Sequence, residues 1–187
     1  DQGLFYPPDP ASLNKCTIGG NVSENAGGPR ALKYGVTRDY VIGLSGVWAN
    51  GELFNYGGKI KKNVAGYDMV GLLVGSEGTL GIVTEIILKL RPKPKVIKEA
   101  IASYNSSDDA LQALNQTLTS GVAPSTAEFM VKQCVTASLE YLGIRAQFDQ
   151  HNAYVIWQVD GFTNHEVEAQ MDQIEKMSQT SMELTGL

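Results

Sequence analysis

Two short segments hold the residues whose types and spacing could do chemistry. The first, T-I-G-G-N-V-S-E-N-A-G-G at positions 17–28, has four glycines among twelve residues. Thr17, Asn21, Ser23 and Asn25 add side-chain hydrogen-bonding groups to it. The second, G-S-E-G-T-L-G at 75–81, follows about fifty residues later. Neither holds a nucleophile beside a base. What both can do is bring bare backbone N–H groups close to a ligand, which suits phosphate oxygens or polar ring atoms. One such segment alone reads as a tight turn. Two of them, each beside an expected helix end, point to a bound nucleotide-like cofactor.

Other site signatures fail. In Gly75-Ser-Glu-Gly78-Thr-Leu-Gly81 the glycines are spaced three and three, and the last opens a strand. The dinucleotide fingerprint needs two and then three, between a strand and a helix. Gly57-Gly58-Lys59 lacks the upstream glycine and the Ser/Thr of a phosphate-binding loop. The two cysteines, Cys16 and Cys134, have no metal or redox spacing. His151 precedes a strand and His165 sits in the first turn of a helix, so neither is assigned to catalysis. Catalytic residues are unassigned and no metal site is expected. The formal net charge of -5, without a basic stripe interleaved with aromatics, excludes nucleic acid as a partner. No apolar run reaches the length of a membrane span.

The elements that must position these segments follow from pattern. Pro7, Pro8 and Pro10 hold the opening extended. Asn21, with Glu24 three residues on, reads as the N-cap of a short helix. Tyr40–Ala49, Asn50-Gly51 and Glu52–Phe54 read as a hairpin. Asp68 caps a short helix closed by Gly75. Ile82–Leu90 is a strand whose inward face is set at Ile82, Thr84, Ile86, Leu88 and Leu90. Arg91-Pro92-Lys93-Pro94-Lys95 reads as a linker, giving domains 1–94 and 95–187. Of the 20 glycines, 16 fall in the first 81 residues, so the front is richer in loops.

In the rear, strands are expected at 96–104, 125–130 and 153–160. Helices are expected at 107–119, 131–142 and from the Thr163-x-x-Glu166 capping box onward. Leu111, Leu114 and Leu118 would form the inner face of the first helix; Val167, Met171, Ile174 and Met182 would form that of the last. Trp48 and Trp157 fall on strands as core residues. Leaving out the middle helix, the order is β-α-β-β-α, one strand short of the split βαβ fold. That strand is expected to begin where the chain stops, so the rear domain reads as truncated. The fold class is α+β.

The runs P-P-D-P-A-S…C-T-I-G-G-N-V-S-E-N-A-G-G, K-Y-G-V-T-R-D-Y-V-I-G-L and N-V-A-G-Y-D-M-V-G-L-L-V-G-S-E-G-T-L-G-I-V-T-E resemble the vanillyl-alcohol-oxidase-type (PCMH-type) FAD enzymes. Within them the chain is most similar to the branch of glycolate oxidases and D-lactate dehydrogenases. The resemblance is dense over residues 5–94 and weaker over 95–187. It implies the second subdomain of a PCMH-type FAD-binding domain, followed by the first part of a ferredoxin-like substrate (cap) domain.

It further implies FAD as cofactor. Pro8 and Asp9 would lie beside the flavin. Thr17, Gly19, Gly20, Asn21 and Ser23 would line the isoalloxazine and ribityl side, and Asn25, Ala26, Gly27 and Gly28 would continue toward the pyrophosphate. Gly75, Glu77, Gly78 and Gly81 would form a second loop, with backbone groups offered by Ile82 and Val83. The implied reaction is oxidation of a small 2-hydroxy acid, glycolate or D-lactate, by hydride transfer to flavin N5. The same fold could instead act on D-2-hydroxyglutarate or catalyse an alkyl transfer. The chain alone could also be an inert piece that binds FAD weakly or not at all, since the family's first FAD subdomain and its catalytic residues have no counterpart in it. The implied partners are the hydroxy-acid substrate, with an electron acceptor or partner subunits. The implied location is the cytoplasm, with any inner-membrane association made through partners.

Overall fold

The computed structural model describes residues 2–143, 151–178 and 182–184. The chain divides into two compact units, Asp1–Lys93 and Pro94–Leu187.

In the first unit β1 (Leu4–Phe5) precedes α1 (Ile18–Glu24), α2 (Ala31–Tyr34) and a 3-10 turn at Thr37–Asp39. Then come β2 (Val41–Trp48), β3 (Leu53–Gly57), α3 (Met69–Leu73), β4 (Gly81–Leu88) and β5 (Arg91–Pro92). The main sheet is antiparallel in the order β3-β2-β4. The Asn-Gly hairpin is present: the Gly51 N–H bonds back to Trp48 O at 2.9 Å, and Asn50 Oδ1 accepts from Glu52 N at 3.0 Å. Val22, Val41, Leu44, Phe54, Leu73 and Val74 form the core, so α1 and α3 are held to the sheet by apolar contact.

Three expectations for this unit are corrected. The first helix is capped by Thr17, not Asn21: Thr17 Oγ1 accepts from Gly20 N at 3.0 Å. The cap wins because its hydroxyl satisfies a first-turn N–H, and it draws Gly19 and Gly20 into helical backbone despite their poor propensity. The alternation expected of β4 also breaks. Ser45 pairs with Glu85 but Gly46 pairs with Val83, so Thr84 is a β-bulge. A bulge shifts the facing pattern by one residue. Val83, Ile86 and Leu88 therefore pack inward, while Ile82 is 70% exposed. Finally, the expected linker begins as structure. Arg91–Pro92 pairs with Leu4–Phe5, and Lys93 N bonds to Gly3 O at 2.9 Å.

The second unit contains β6 (Val96–Tyr104), α4 (Ser107–Thr119), β7 (Thr126–Val131), α5 (Lys132–Leu142), β8 (Ala153–Gly161), α6 (Asn164–Ser178) and β9 (Met182–Leu184). Its antiparallel sheet runs β7-β8-β6-β9. Helices α4 and α6 cover one face over Ala100, Ala102, Val155, Trp157 and Val159. The expected missing strand is thus present in short form: Met182–Leu184 pairs with Ala102–Ala100 and completes β-α-β-β-α-β. Met182 belongs to that strand and not to the face of α6, which buries Val167, Met171, Ile174 and Ser178.

The inner face of α4 is also corrected. It buries Ala110, Ala113 and Thr117, with Leu114 half-buried, whereas Leu111 and Leu118 are exposed. Small side chains let α4 sit close to the sheet and to α6, so the leucine stripe gives the wrong face.

Candidate functional site

The first glycine segment is built around α1. Val22 and Asn21 are buried and anchor one side of the helix, while Thr17, Ile18, Gly19 and Gly20 face outward. The helix ends at Asn25, which takes the left-handed conformation (φ 52°). Near this end the carbonyls run short of strong partners within the helix, Val22 O taking only a long 3.3 Å bond from Asn25 N.

The second segment fills that need. Gly75 N donates to Val22 O at 2.9 Å, and Glu77 N donates to Ser23 O at 3.0 Å. Both residues have positive φ, 83° at Gly75 and 51° at Glu77. The two glycine-rich segments are therefore joined directly, the second docked by its backbone on the end of α1.

Arg38 locks the junction. Its guanidinium Nη2 donates to Val74 O at 2.9 Å, and its backbone N donates to Asn25 Oδ1 at 2.8 Å. Thr37, fully buried, donates from Oγ1 to Ala26 O at 2.8 Å and shares a 2.9 Å hydrogen bond with the Tyr6 hydroxyl. Burial raises the Tyr6 phenol above its ordinary value, opposed in part by the Thr37 bond. Sequence reasoning missed Thr37, Arg38 and Tyr6. The run K-Y-G-V-T-R-D-Y held a signal for Thr37 and Arg38, a polar triplet just before the apolar strand β2, whereas nothing local marked Tyr6.

Pro8 and Asp9 belong to the extended opening segment, Pro8 buried and Asp9 partly so. Asp9 accepts from Arg30 N at 3.2 Å and from Arg30 Nε at 2.7 Å. A Cβ on Gly28, whose φ is +151°, would lie 2.3 Å from Asp9 O. Asp9, Gly28 and Arg30 thus clamp the extended proline segment, and the Asp9 carboxylate is engaged there. Gly81 opens β4, where a Cβ would meet Val47 O at 2.8 Å. Ile82 and Val83 follow on β4, an edge of its sheet among the described residues. Ile82 presents its side chain outward, and Val83 turns its own into the core.

These contacts sort the glycines. Gly28 and Gly81 are required by the fold, and Gly20 is held close to its cap, a Cβ there falling 3.3 Å from Thr17 Oγ1. Gly19 is different. It lies within α1, and a Cβ on it would meet nothing within 4 Å. Glycine inside a helix costs roughly 0.5–1 kcal/mol relative to alanine. Packing within the described residues gives no reason to accept that cost, whereas a flat ligand against the outer side of α1 would. The donor set of backbone N–H groups with Thr17, Ser23 and asparagine side chains fits a flavin nucleotide. Among the described residues no group of three or more His, Cys, Asp or Glu could hold a metal ion. His165 is exposed on α6, and His151 packs edge-on to Tyr154.

Comparison with known proteins supports FAD as the cofactor. Residues 1–57 match the model of the FAD binding domain, and residues 93–185 match that of the FAD linked oxidases, C-terminal domain. The chain is 48% identical over 174 residues to glycolate oxidase subunit GlcD of Bacillus subtilis, covering 93% of this chain and 37% of that protein. It is 39% identical over 187 residues to a D-lactate dehydrogenase of Anaerostipes hadrus, covering 97% and 38%. The chain therefore spans little more than a third of the curated relatives it matches. A solved structure of alkyldihydroxyacetonephosphate synthase shares the fold, with a TM-score of 0.80 at 23% identity, over 98% of this chain and 35% of that one. With two domain models matched in tandem across most of its length, the chain belongs to the PCMH-type family of FAD-linked oxidases.

Proposed function

We propose that this chain is part of an FAD-dependent dehydrogenase of small 2-hydroxy acids, glycolate or D-lactate. The similarity to proteins named for those two activities supports the substrate class. In this reading residues 1–94 are the second half of an FAD-binding domain and residues 95–187 the first part of the cap domain. The observation that carries it is Gly19, a helical glycine with open space where its side chain would be, beside a second glycine loop docked on the same helix.

Thr17, Gly19, Gly20, Asn21 and Ser23 would line the ring and ribityl side of the flavin. Asn25, Ala26, Gly27 and Gly28 would continue toward the pyrophosphate, with Pro8 and Asp9 alongside. Gly75, Glu77, Gly78 and Gly81, with backbone groups of Ile82 and Val83, would close the second loop. When bound, FAD supplies the hydride acceptor at N5. The chain's own share is to hold the ring by backbone hydrogen bonds and keep it oriented. Thr37 and Arg38 act behind that wall by fixing the carbonyls of Ala26 and Val74. The substrate, an electron acceptor and partner subunits would be met in the cytoplasm. Among the described residues no helix is long and apolar enough to cross a membrane.

A second substrate has an observation of its own. The chain is 45% identical over 112 residues to a D-2-hydroxyglutarate dehydrogenase of Xanthomonas citri, covering 60% of this chain and 24% of that protein. The test uses the full-length protein. Purified enzyme is assayed with glycolate, D-lactate and D-2-hydroxyglutarate against an artificial electron acceptor, and flavin content is read by absorbance. We expect one or both small acids to turn over fastest, and Gly19→Val to yield folded, flavin-free protein. A Gly19→Val enzyme that keeps stoichiometric FAD would overturn the site assignment, and exclusive turnover of D-2-hydroxyglutarate would overturn the substrate.

A further inference from the structure

Charge is the property of the glycine segments that the flavin reading leaves unexplained. The 17–28 segment carries a single ionisable side chain, Glu24, and the 75–81 segment carries a single one, Glu77. Both are acidic. The pyrophosphate of FAD is doubly anionic, so side chains of this sign oppose its approach. A cation beside the segments would remove the conflict.

The 3-10 turn at Thr37–Asp39 brings one there. It carries Arg38 to the junction of the two segments. The Arg38 backbone N donates to Asn25 Oδ1 at 2.8 Å, and its Nη2 donates to Val74 O at 2.9 Å. A Cβ on Gly75 would lie 3.7 Å from that nitrogen, so a side chain at position 75 would rest against the guanidinium. Arg38 is exposed, and the Val74 bond uses one of its five side-chain N–H groups. No carboxylate pairs with it among the described residues. Nearby cations are engaged elsewhere: Arg30 is paired with Asp9 at 2.7 Å, and the Lys33 ammonium lies over the Tyr34 ring at 5.6 Å. Holding a carbonyl needs only a neutral donor, so the described fold makes no use of the Arg38 charge. A planar fork of N–H groups beside bare backbone suits phosphate oxygens, which it can bind two at a time.

We propose that Arg38 is a cofactor-binding residue whose guanidinium pairs with the pyrophosphate of FAD, while its bond to Val74 O keeps the two glycine segments joined. This rests on the flavin reading of those segments and adds to it a residue that lies in neither.

The test uses the apoprotein of the full-length enzyme. It is titrated with FAD and with riboflavin, which has the same ring and ribityl chain but no phosphate. Arg38→Met should weaken FAD binding about 10–100-fold, the range of a hydrogen bond to a charged group, and leave riboflavin binding unchanged. Arg38→Lys keeps the charge, loses the fork and should fall between. The wild-type affinity for FAD should also decline with salt more steeply than that of Arg38→Met, and this comparison decides if riboflavin binds too weakly to titrate. Circular dichroism checks that the methionine variant is folded; if it is not, Arg38→Lys decides in the same way. Equal losses of FAD and riboflavin, or equal salt slopes where riboflavin cannot be titrated, would mean that Arg38 serves Val74 alone. Undiminished FAD binding would mean that it meets no part of the cofactor. Each result overturns the proposal. A wild-type apoprotein that takes up neither flavin would overturn the flavin reading itself, and this proposal with it.

Discussion

Trp157 in the second unit and Trp48 in the first both lie on central strands, and their surroundings differ sharply. Trp157 is fully buried with Val155 and Val159, under the helical residues Val167, Met171 and Ile174. Trp48 packs on Phe54 at 4.6 Å between ring centroids and remains half-buried. In the same unit Leu53, Ile82 and Tyr67 project outward, Tyr67 at 95% exposure. The second unit covers one face of its sheet with two long helices, α4 and α6, although Tyr141 and Leu142 of α5 project outward. The first unit covers its sheet with two short helices and leaves its glycine loops in the open, held by backbone hydrogen bonds rather than by packed side chains. In the proposed reading the first unit meets FAD through bare backbone, and there it forgoes the side chains that would otherwise build a core.

The largest effect expected from this contrast is on stability. Trp157→Ala removes a fully enclosed ring and should cost about 3–5 kcal/mol, abolishing the folded second unit. Trp48→Ala should cost roughly half as much, since less of its apolar area leaves water on folding. Urea titrations of both variants, read by far-UV circular dichroism, compare the two. Equal losses would break the contrast between the cores.

Next comes a pair of glycines within the 17–28 segment. Gly28→Ala puts a Cβ 2.3 Å from the Asp9 carbonyl oxygen on a backbone with φ +151°. It should destabilise the first unit by about 2 kcal/mol or more, from overpacking and strain together. Gly19→Ala, in open space on α1, should stabilise the chain by about 0.5–1 kcal/mol. If the flavin assignment holds, Gly19→Ala in the full-length protein nevertheless weakens FAD binding. Thermal melts with and without added FAD separate the two effects. A Gly19→Ala protein that is both more stable and as tight for FAD would leave the helical glycine without a purpose.

The origin of this contrast was only partly legible in the sequence. The glycine segments, the Asn-Gly hairpin, the Asp68 cap and the βαββα order of the rear each carry a local signal, because one residue type is needed at one backbone position. What the sequence concealed was set by relations between distant residues. The Thr84 bulge depends on how β4 meets β2. The buried face of α4 is chosen by the closeness of α6 and the sheet, so Ala110 and Ala113 replace the more conspicuous leucines. Thr37 and Arg38 act on carbonyls 11 and 36 residues away in sequence, at Ala26 and Val74. In the site itself, the glycines were readable as a group, but only their contacts separate those the fold needs from Gly19.

A smaller effect tests how α1 is started. Thr17→Ala deletes the cap that pulls Gly19 and Gly20 into α1, at a cost of about 1 kcal/mol. Thr17→Ser keeps a hydroxyl and should restore most of that stability. Amide hydrogen exchange should show faster exchange confined to the first turn of α1 in the alanine variant. Protection unchanged at Gly20 would mean that packing of Val22, and not the cap, sets the helix start.

The smallest effect should be found at the rim of the second unit, where Lys98 Nζ meets Glu168 Oε1 at 2.9 Å. The side chains are 34% and 55% exposed, so water screens both charges and their ordering offsets much of the attraction. Such pairs contribute about 0.2–1 kcal/mol, decreasing with salt. A double-mutant cycle with Lys98→Met and Glu168→Gln should therefore give a coupling near the lower end of that range, vanishing at high salt. The sheet and helix that this pair joins already share the buried Trp157, Val167 and Ile174. A coupling well above that range would mean that the second unit depends on its charged rim as well as its core, and would narrow its difference from the first unit, whose Asp9–Arg30 pair is the more enclosed of the two.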